Sequence, residues 1–72
     1  MIRVEMLGTE ASRLEVGDTR WSVRDDEGLA RIAYTHGAMF FRVLFGNESY
    51  VVDSVDFNDA LTFAVMLLES EQ

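Results

Sequence analysis

The 72-residue chain contains no cysteine, no proline and no lysine, and it has a single histidine. Without cysteine, neither a disulfide nor a thiolate metal site is possible. Because a chain this small would fold without disulfides, we expect it in a reducing compartment, the cytoplasm. The N-terminal sequence MIRVEMLG alternates in polarity, unlike a signal peptide, and no apolar run has the length needed to span a bilayer.

Acidic residues dominate the charge, and they are unevenly placed. The net charge is −7; residues 1–42 hold all six arginines and seven acids, whereas residues 43–72 hold six acids and no base. Such a chain repels nucleic acid and anionic lipid, and it attracts a basic surface on another protein. Plain solubility is the alternative explanation of the charge.

One helix is predicted over residues 56–69, and it organises the rest of the chain. Asp56 is a good N-cap residue, and Asp59 places a carboxylate near the positive end of the helix dipole. The apolar residues of this segment cover an arc of roughly 200°, wider than a one-sided surface helix needs. They are Phe57, Ala60, Leu61, Phe63, Ala64, Val65, Leu67 and Leu68. Either a curved sheet wraps this helix, or part of the arc faces a second chain.

Alternating polarity in the remainder predicts about six strands with short turns between them. The predicted strands are residues 2–7, 11–16, 19–24, 29–35, 38–45 and 49–53, with Gly17-Asp18 as one of the turns. Strands joined by short turns pair in sequence order. We therefore predict a single α+β domain, an antiparallel meander of five to six strands packed on one C-terminal helix, with the first and last strands as exposed edges.

The segment AMFFRVLF, residues 38–45, is apolar on both faces of its predicted strand. On one face, Phe40 and Leu44 flank Arg42, which is a plausible binding hot spot if that face is exposed. The competing interpretation places Phe40 and Leu44 in the core.

No pattern in the chain predicts catalysis, a metal or a cofactor. His36 precedes a glycine in a predicted turn, and no serine lies in a nucleophile-elbow motif. The acidic turn Asp25-Asp26-Glu27 lacks the alternating oxygen ligands of a calcium loop. Acids close in sequence to the arginines predict cross-strand ion pairs on the outer face, which disfavours a nucleic-acid-reading sheet. We therefore expect a non-enzymatic protein.

The acidic, cysteine-free format, with a strand meander and one late helix introduced by Asp53-Ser54-Val55-Asp56, resembles small phage-encoded inhibitors, among them some anti-CRISPR proteins. The resemblance lies in length, charge and element order over the whole chain, so it transfers no residue. It implies an inhibitor in the host cytoplasm that acts as a nucleic-acid mimic, occupying a basic groove of a ribonucleoprotein such as a CRISPR effector.

Two functional hypotheses follow from the sequence. The first is a binding protein or inhibitor whose acidic surface occupies a basic groove of a larger protein or ribonucleoprotein. Its predicted contact residues are Asp25, Asp26, Glu27, Glu48, Asp56 and Asp59. The second is a self-associating module that uses the wide apolar face of the helix or an edge strand, possible as a homodimer.

Overall fold

The structure of the protein, a computed structural model, describes residues 1–10 and 18–70. In chain order the elements of these residues are β1 (Arg3–Glu10), β2 (Asp18–Arg24), β3 (Leu29–Thr35), β4 (Phe41–Phe45), β5 (Glu48–Val52) and α1 (Phe57–Ser70). The strands form one sheet in the order β1-β2-β3-β4-β5, and every neighbouring pair is antiparallel. The predicted α+β class, a meander packed on a C-terminal helix, is confirmed.

The helix covers one face of the sheet, which we call the covered face. No helix of the described residues lies on the opposite face, which we call the open face. The covered face carries the fully buried side chains of Val23, Ile32 and Val43. On the helix, Ala60 and Ala64 are fully buried. Small side chains at these two positions let the helix backbone approach the strands closely.

Aromatic rings fill the space where the helix begins. The ring of Phe57 lies 4.7 Å from that of Trp21 and 6.0 Å from that of Phe41, measured between centroids. Further along the helix, Phe63 packs edge-on against Tyr50 of β5 at 5.3 Å. Tilted and edge-on rings at such distances add to the stabilisation from buried area. Phe57 and Phe63 belong to the helix's wide apolar arc of eight residues, of which three are buried and five are half-buried, so the arc is covered in large part.

Two predicted strand boundaries are wrong by three residues, and the other boundaries of the described strands are right to within one. The strand predicted over residues 38–45 begins only at Phe41, because a turn at Gly37, with φ of +90°, precedes it. The Ala38 N–H donates to the carbonyl of Thr35 at 2.9 Å, and the Tyr34 hydroxyl donates to the carbonyl of Ala38 at 2.9 Å. These two bonds hold Ala38 out of the sheet, even though the apolar run favours a strand.

The first predicted strand, residues 2–7, continues to Glu10 in β1 because a bulge between Met6 and Gly8 shifts the register, and pairing then resumes. Asp18, predicted to form a turn with Gly17, belongs to β2 and pairs with Glu10. Gly17 and the strand predicted over residues 11–16 lie outside the described residues.

Candidate binding surfaces

Three segments bring carboxylates to one end of the sheet. The β2–β3 turn, the β4–β5 turn and the end of α1 meet there, because strands alternate in direction and α1 runs back along the sheet. We call this surface the acidic end. It consists of Asp25, Asp26, Glu27, Glu48 and Glu69. The last turn of α1 contains no basic residue, so the negative end of its dipole adds to the same field.

The floor of the acidic end is an open depression of about 370 Å³. Met1 and Ile2 line it together with the Asp25–Glu27 turn and Glu69. Below it, the turn sits close to the helix: a methyl group added at Gly28 would lie 3.2 Å from Leu68 Cδ2. This close packing fixes the turn relative to the end of α1.

Not all of these carboxylates are available to a partner. One oxygen of Asp25 accepts the N–H groups of Glu27 and Gly28, at 2.8 and 2.6 Å, and so shapes the turn. Asp26 lies 3.5 Å from the N-terminal amine, and both groups are more than four-fifths exposed. An ion pair this exposed contributes little to stability.

Among the remaining members of the acidic end, Glu48 accepts the Tyr50 hydroxyl at 3.1 Å. Within residues 1–10 and 18–70, the side chains of Glu27 and Glu69 form no hydrogen bond or ion pair, and both are exposed. Glu27, Glu69 and the weakly held Asp26 are therefore the carboxylates most accessible to a basic partner.

Asp56 and Asp59 lie at the opposite end of the sheet, where the helix begins, so the structure does not bring the six predicted contact residues together. The carboxylate of Asp56 accepts the N–H of Asn58 at 2.9 Å, as its predicted N-cap role requires. The Ser54 hydroxyl accepts the N–H of Asp56 at 3.0 Å and lies 2.6 Å from Asp59 Oδ2. Both carboxylates thus belong to the helix cap.

Arginines gather on the open face of the sheet. The strand register places Arg3, Arg20, Arg24, Arg31 and Arg42 there. For four of them, Arg20 excepted, no carboxylate of the described residues lies within ion-pair distance, so the predicted cross-strand ion pairs are absent at these positions. Glu5, two residues from Arg3, lies on the same face of β1 without forming an ion pair with it, and the acids that follow Arg24 lie in a turn. Arg24, for example, is followed by Asp25, whose carboxylate is bonded to the turn backbone.

The open face also settles the ambiguity over β4. Phe41 and Val43 are buried under the helix, whereas Arg42 and Leu44 are exposed on the open face. The guanidinium carbon of Arg42 lies 5.8 Å from the centre of the half-buried Phe40 ring, a cation–π contact. The face that includes Leu44 and Arg42 is therefore the outer one.

Ser22 is an unusual residue of the open face, since it is only 3% exposed. It lies between Glu5 of β1 and Arg31 of β3, with Arg20 and Arg24 two residues away on its own strand. The stems of long charged side chains can cover a small residue in such a position. The Ser22 hydroxyl is buried, and no group of the described residues forms a hydrogen bond with it.

Neither a metal centre nor a membrane-spanning helix is found among the described residues. No group of three or more histidine, aspartate or glutamate side chains there is arranged to hold a metal ion. No described helix has the length and apolar character to cross a membrane. His36 lies exposed in the β3–β4 turn.

Comparison of the chain with protein-family models, with curated protein sequences and with solved structures found no match.

The sequence interpretation missed Glu69 as part of the acidic end. The alternating direction of the strands could have predicted its position. In an antiparallel meander, the turns after β2 and β4 lie at the same end of the sheet. A helix that starts beyond β5 and runs back must finish there too.

Proposed function

We propose that this protein is a non-enzymatic binding protein or inhibitor, whose acidic end occupies a basic groove of a larger protein or ribonucleoprotein. The observation that carries the proposal is the convergence of Asp25, Asp26, Glu27, Glu48 and Glu69 at one end of the sheet, with every described arginine on the open face instead. An excess of negative charge concentrated in one place steers an oppositely charged partner and fixes its orientation.

The proposed contact surface leaves out two of the contact residues predicted from the sequence. The carboxylates of Asp56 and Asp59 already serve the helix cap, so they contribute to the long-range field rather than to direct contacts. The contacts are instead made by Asp26, Glu27 and Glu69, with Glu48 beside them. Their side chains project from turns and from a helix end, where they can reach into a groove without disturbing the core.

The partner's chemistry follows from this surface. A groove rich in arginine and lysine complements it, and grooves of that kind bind nucleic-acid backbones. A small acidic protein seated there competes with nucleic acid by occupancy and by charge. This mode of action is the one implied by the resemblance in format to phage-encoded inhibitors, and it makes a nucleic-acid-guided host complex such as a CRISPR effector the proposed target.

A pull-down from the source cell and from its host, read by mass spectrometry, tests the proposal. The tagged protein is compared with its Glu27→Gln variant, which removes one accessible carboxylate of the acidic end. The matched control is Asp53→Asn, which removes one exposed carboxylate at the opposite end of the sheet. We expect a basic, nucleic-acid-binding protein to be captured at low salt, to be lost at high salt and to be reduced by Glu27→Gln alone.

Equal capture by the two variants would contradict a contact at the acidic end. Capture that does not change between low and high salt would contradict charge-driven recognition altogether, since screening weakens interactions between exposed charges.

A further inference from the structure

Strand β1 and the residue before it, Ile2, expose a run of apolar side chains along one edge of the sheet. Ile2, Val4, Met6 and Leu7 are 38, 42, 61 and 54% exposed. Val4 and Met6 lie opposite Val23 and Trp21 of β2, so they belong to the covered face of the sheet. The backbone of the helix lies close to β2, β3, β4 and β5, but within the described residues it does not come close to β1. The apolar side chains that β1 contributes to the covered face are therefore not shielded by the helix.

The other edge of the sheet is different. On β5 the covered-face residues Tyr50 and Val52 are half-buried, and Tyr50 packs against Phe63 of the helix. The exposed apolar residue of β5 is Val51, which lies on the open face at 63% exposure. An edge strand with a free outer edge and exposed apolar side chains is a template for pairing with another strand. Among the described strands, only β1 has both features over a continuous segment.

The segment Ile2-Arg3-Val4-Glu5-Met6 is complementary to itself when it is reversed. In an antiparallel pair centred on Val4, Arg3 of one copy lies opposite Glu5 of the other, and Ile2 lies opposite Met6. Both charge pairs fall on the open face, and all apolar pairs fall on the covered face. Opposite charges and apolar side chains at directly opposed positions stabilise a strand pair.

We propose that two copies of this protein pair through β1, antiparallel and centred on Val4, so that two five-stranded sheets join into one. The partner at the exposed edge is a second copy of the chain, because the two copies are complementary in charge. Each copy supplies the carboxylate of Glu5 to Arg3 of the other copy, and the guanidinium of Arg3 to its Glu5. The pairing uses none of the carboxylates of the acidic end, although Ile2 also lines its floor, and its tests do not depend on the proposed function.

Neighbouring registers are excluded by charge. Centring the pair on Arg3 places two arginines opposite each other, and centring it on Glu5 places two glutamates opposite each other. A shift by one residue would bring the charged face of one strand against the apolar face of the other, because side chains alternate with a period of two. The bulge at Met6/Gly8 interrupts the regular alternation, so residues 2–6 form the matched segment.

The interface is small, since five residues of each strand make it. It falls below the size of standard stable interfaces, so we expect a dimer that dissociates in the micromolar range. Sedimentation velocity of the wild-type protein over a range of micromolar concentrations should show a monomer–dimer equilibrium. A strict monomer at the highest concentration would overturn the proposal.

A single cysteine tests the register directly, because the chain has none of its own. In Val4→Cys the two thiols meet at the symmetry axis, where opposed Cα atoms of an antiparallel pair lie about 4.5–5.5 Å apart. That distance is within the range a disulfide bridges. Val51→Cys, on the other edge strand and more exposed than Val4, is the control, since its greater exposure alone would favour faster random cross-linking. We expect Val4→Cys to form covalent dimers at least about tenfold faster. Equal rates for the two variants would overturn the proposal.

Exchange of the two charges provides a second test. Arg3→Glu or Glu5→Arg alone creates two like-charge pairs across the axis, and either should weaken the dimer about five- to thirty-fold. The double variant R3E/E5R restores opposite pairs and should return the dissociation constant to near the wild-type value. Failure of the double variant to recover, with both single variants weakened, would overturn the register.

Discussion

Arg3 and Arg24 lie directly opposite each other in β1 and β2, so two like charges face each other on the open side of the sheet. Neither has a carboxylate of the described residues within ion-pair distance. Like charges in directly opposed positions destabilise a strand pair. This pair therefore opposes the packing of β1 onto the sheet.

Replacing Arg24 by glutamine should stabilise the protein by about 0.2–1 kcal/mol at low salt, because it removes that repulsion. The gain should shrink at high salt, where the charges are screened. Urea unfolding at two salt concentrations measures both effects. Arg31→Gln is the control, since Arg31 faces Ser22 and Leu44 rather than another arginine. An equal gain in the control would assign the effect to overall charge.

Ser22→Ala should leave stability unchanged or raise it by about 1 kcal/mol. A buried hydroxyl without a partner costs about 1–3 kcal/mol, and alanine removes the hydroxyl with almost no change in volume. Thermal unfolding of the variant gives the answer, with the exposed Ser49→Ala on β5 as the control for the substitution itself. A loss of more than about 1 kcal/mol at position 22 would show that the hydroxyl has a partner in solution.

Asp56→Ala should destabilise the protein by about 0.5–2 kcal/mol, because it removes the carboxylate that caps the first turn of the helix. Asp53→Ala, three residues earlier and exposed, should change stability by less than about 0.5 kcal/mol. Chemical denaturation of both variants checks the difference. If Asp56→Ala caused no loss of stability, the capping role of Asp56 would be contradicted, and its carboxylate would be available for partner binding.

Ile32→Ala should cost about 2–5 kcal/mol, since its side chain is fully buried at the centre of the covered face. A domain of this size has only modest stability, so a large share of the variant should be unfolded at 37 °C. Met66→Ala on the exposed side of the helix should behave like the wild type. Circular dichroism at increasing temperature distinguishes the two, and a folded Ile32→Ala variant would mean that the core lies elsewhere.

The local patterns in the chain suffice to predict most of the fold. Alternation predicts which residues of each strand share a face, although it left open which face of β4 is buried. The aspartate before Phe57 marks the helix start to within one residue. Segments of this kind are predictable because each face of a strand meets one environment, core or solvent, along its whole length.

Other features depend on contacts between distant segments, which sequence patterns do not record. Ala38 and Met39 look like strand residues, yet a hydrogen bond from Tyr34 and the turn at Gly37 keep Ala38 out of β4. Whether Arg24 forms an ion pair depends on the directions of its own side chain and of the nearby acidic side chains, and not on their distance in sequence.

The candidate site was predictable only in part, for the same reason. The Asp25–Glu27 turn and Glu48 are visible in the sequence as acidic turns, and the structure places them at one end. Asp56 and Asp59 are also acidic residues in the sequence, but their carboxylates form hydrogen bonds in the helix cap instead. Glu69 joins the acidic end only because the helix runs back along the sheet.

The proposed binding mode is tested most directly by the salt dependence of affinity for the captured partner. Titrations at several salt concentrations would be performed with the wild-type protein, with the Glu27→Gln/Glu69→Gln variant and with the Asp53→Asn control. We predict a steep loss of affinity with salt for the wild type and the control, and a weaker affinity with a shallower salt dependence for the acidic-end variant. Identical affinities and slopes for all three proteins would contradict recognition through the acidic end.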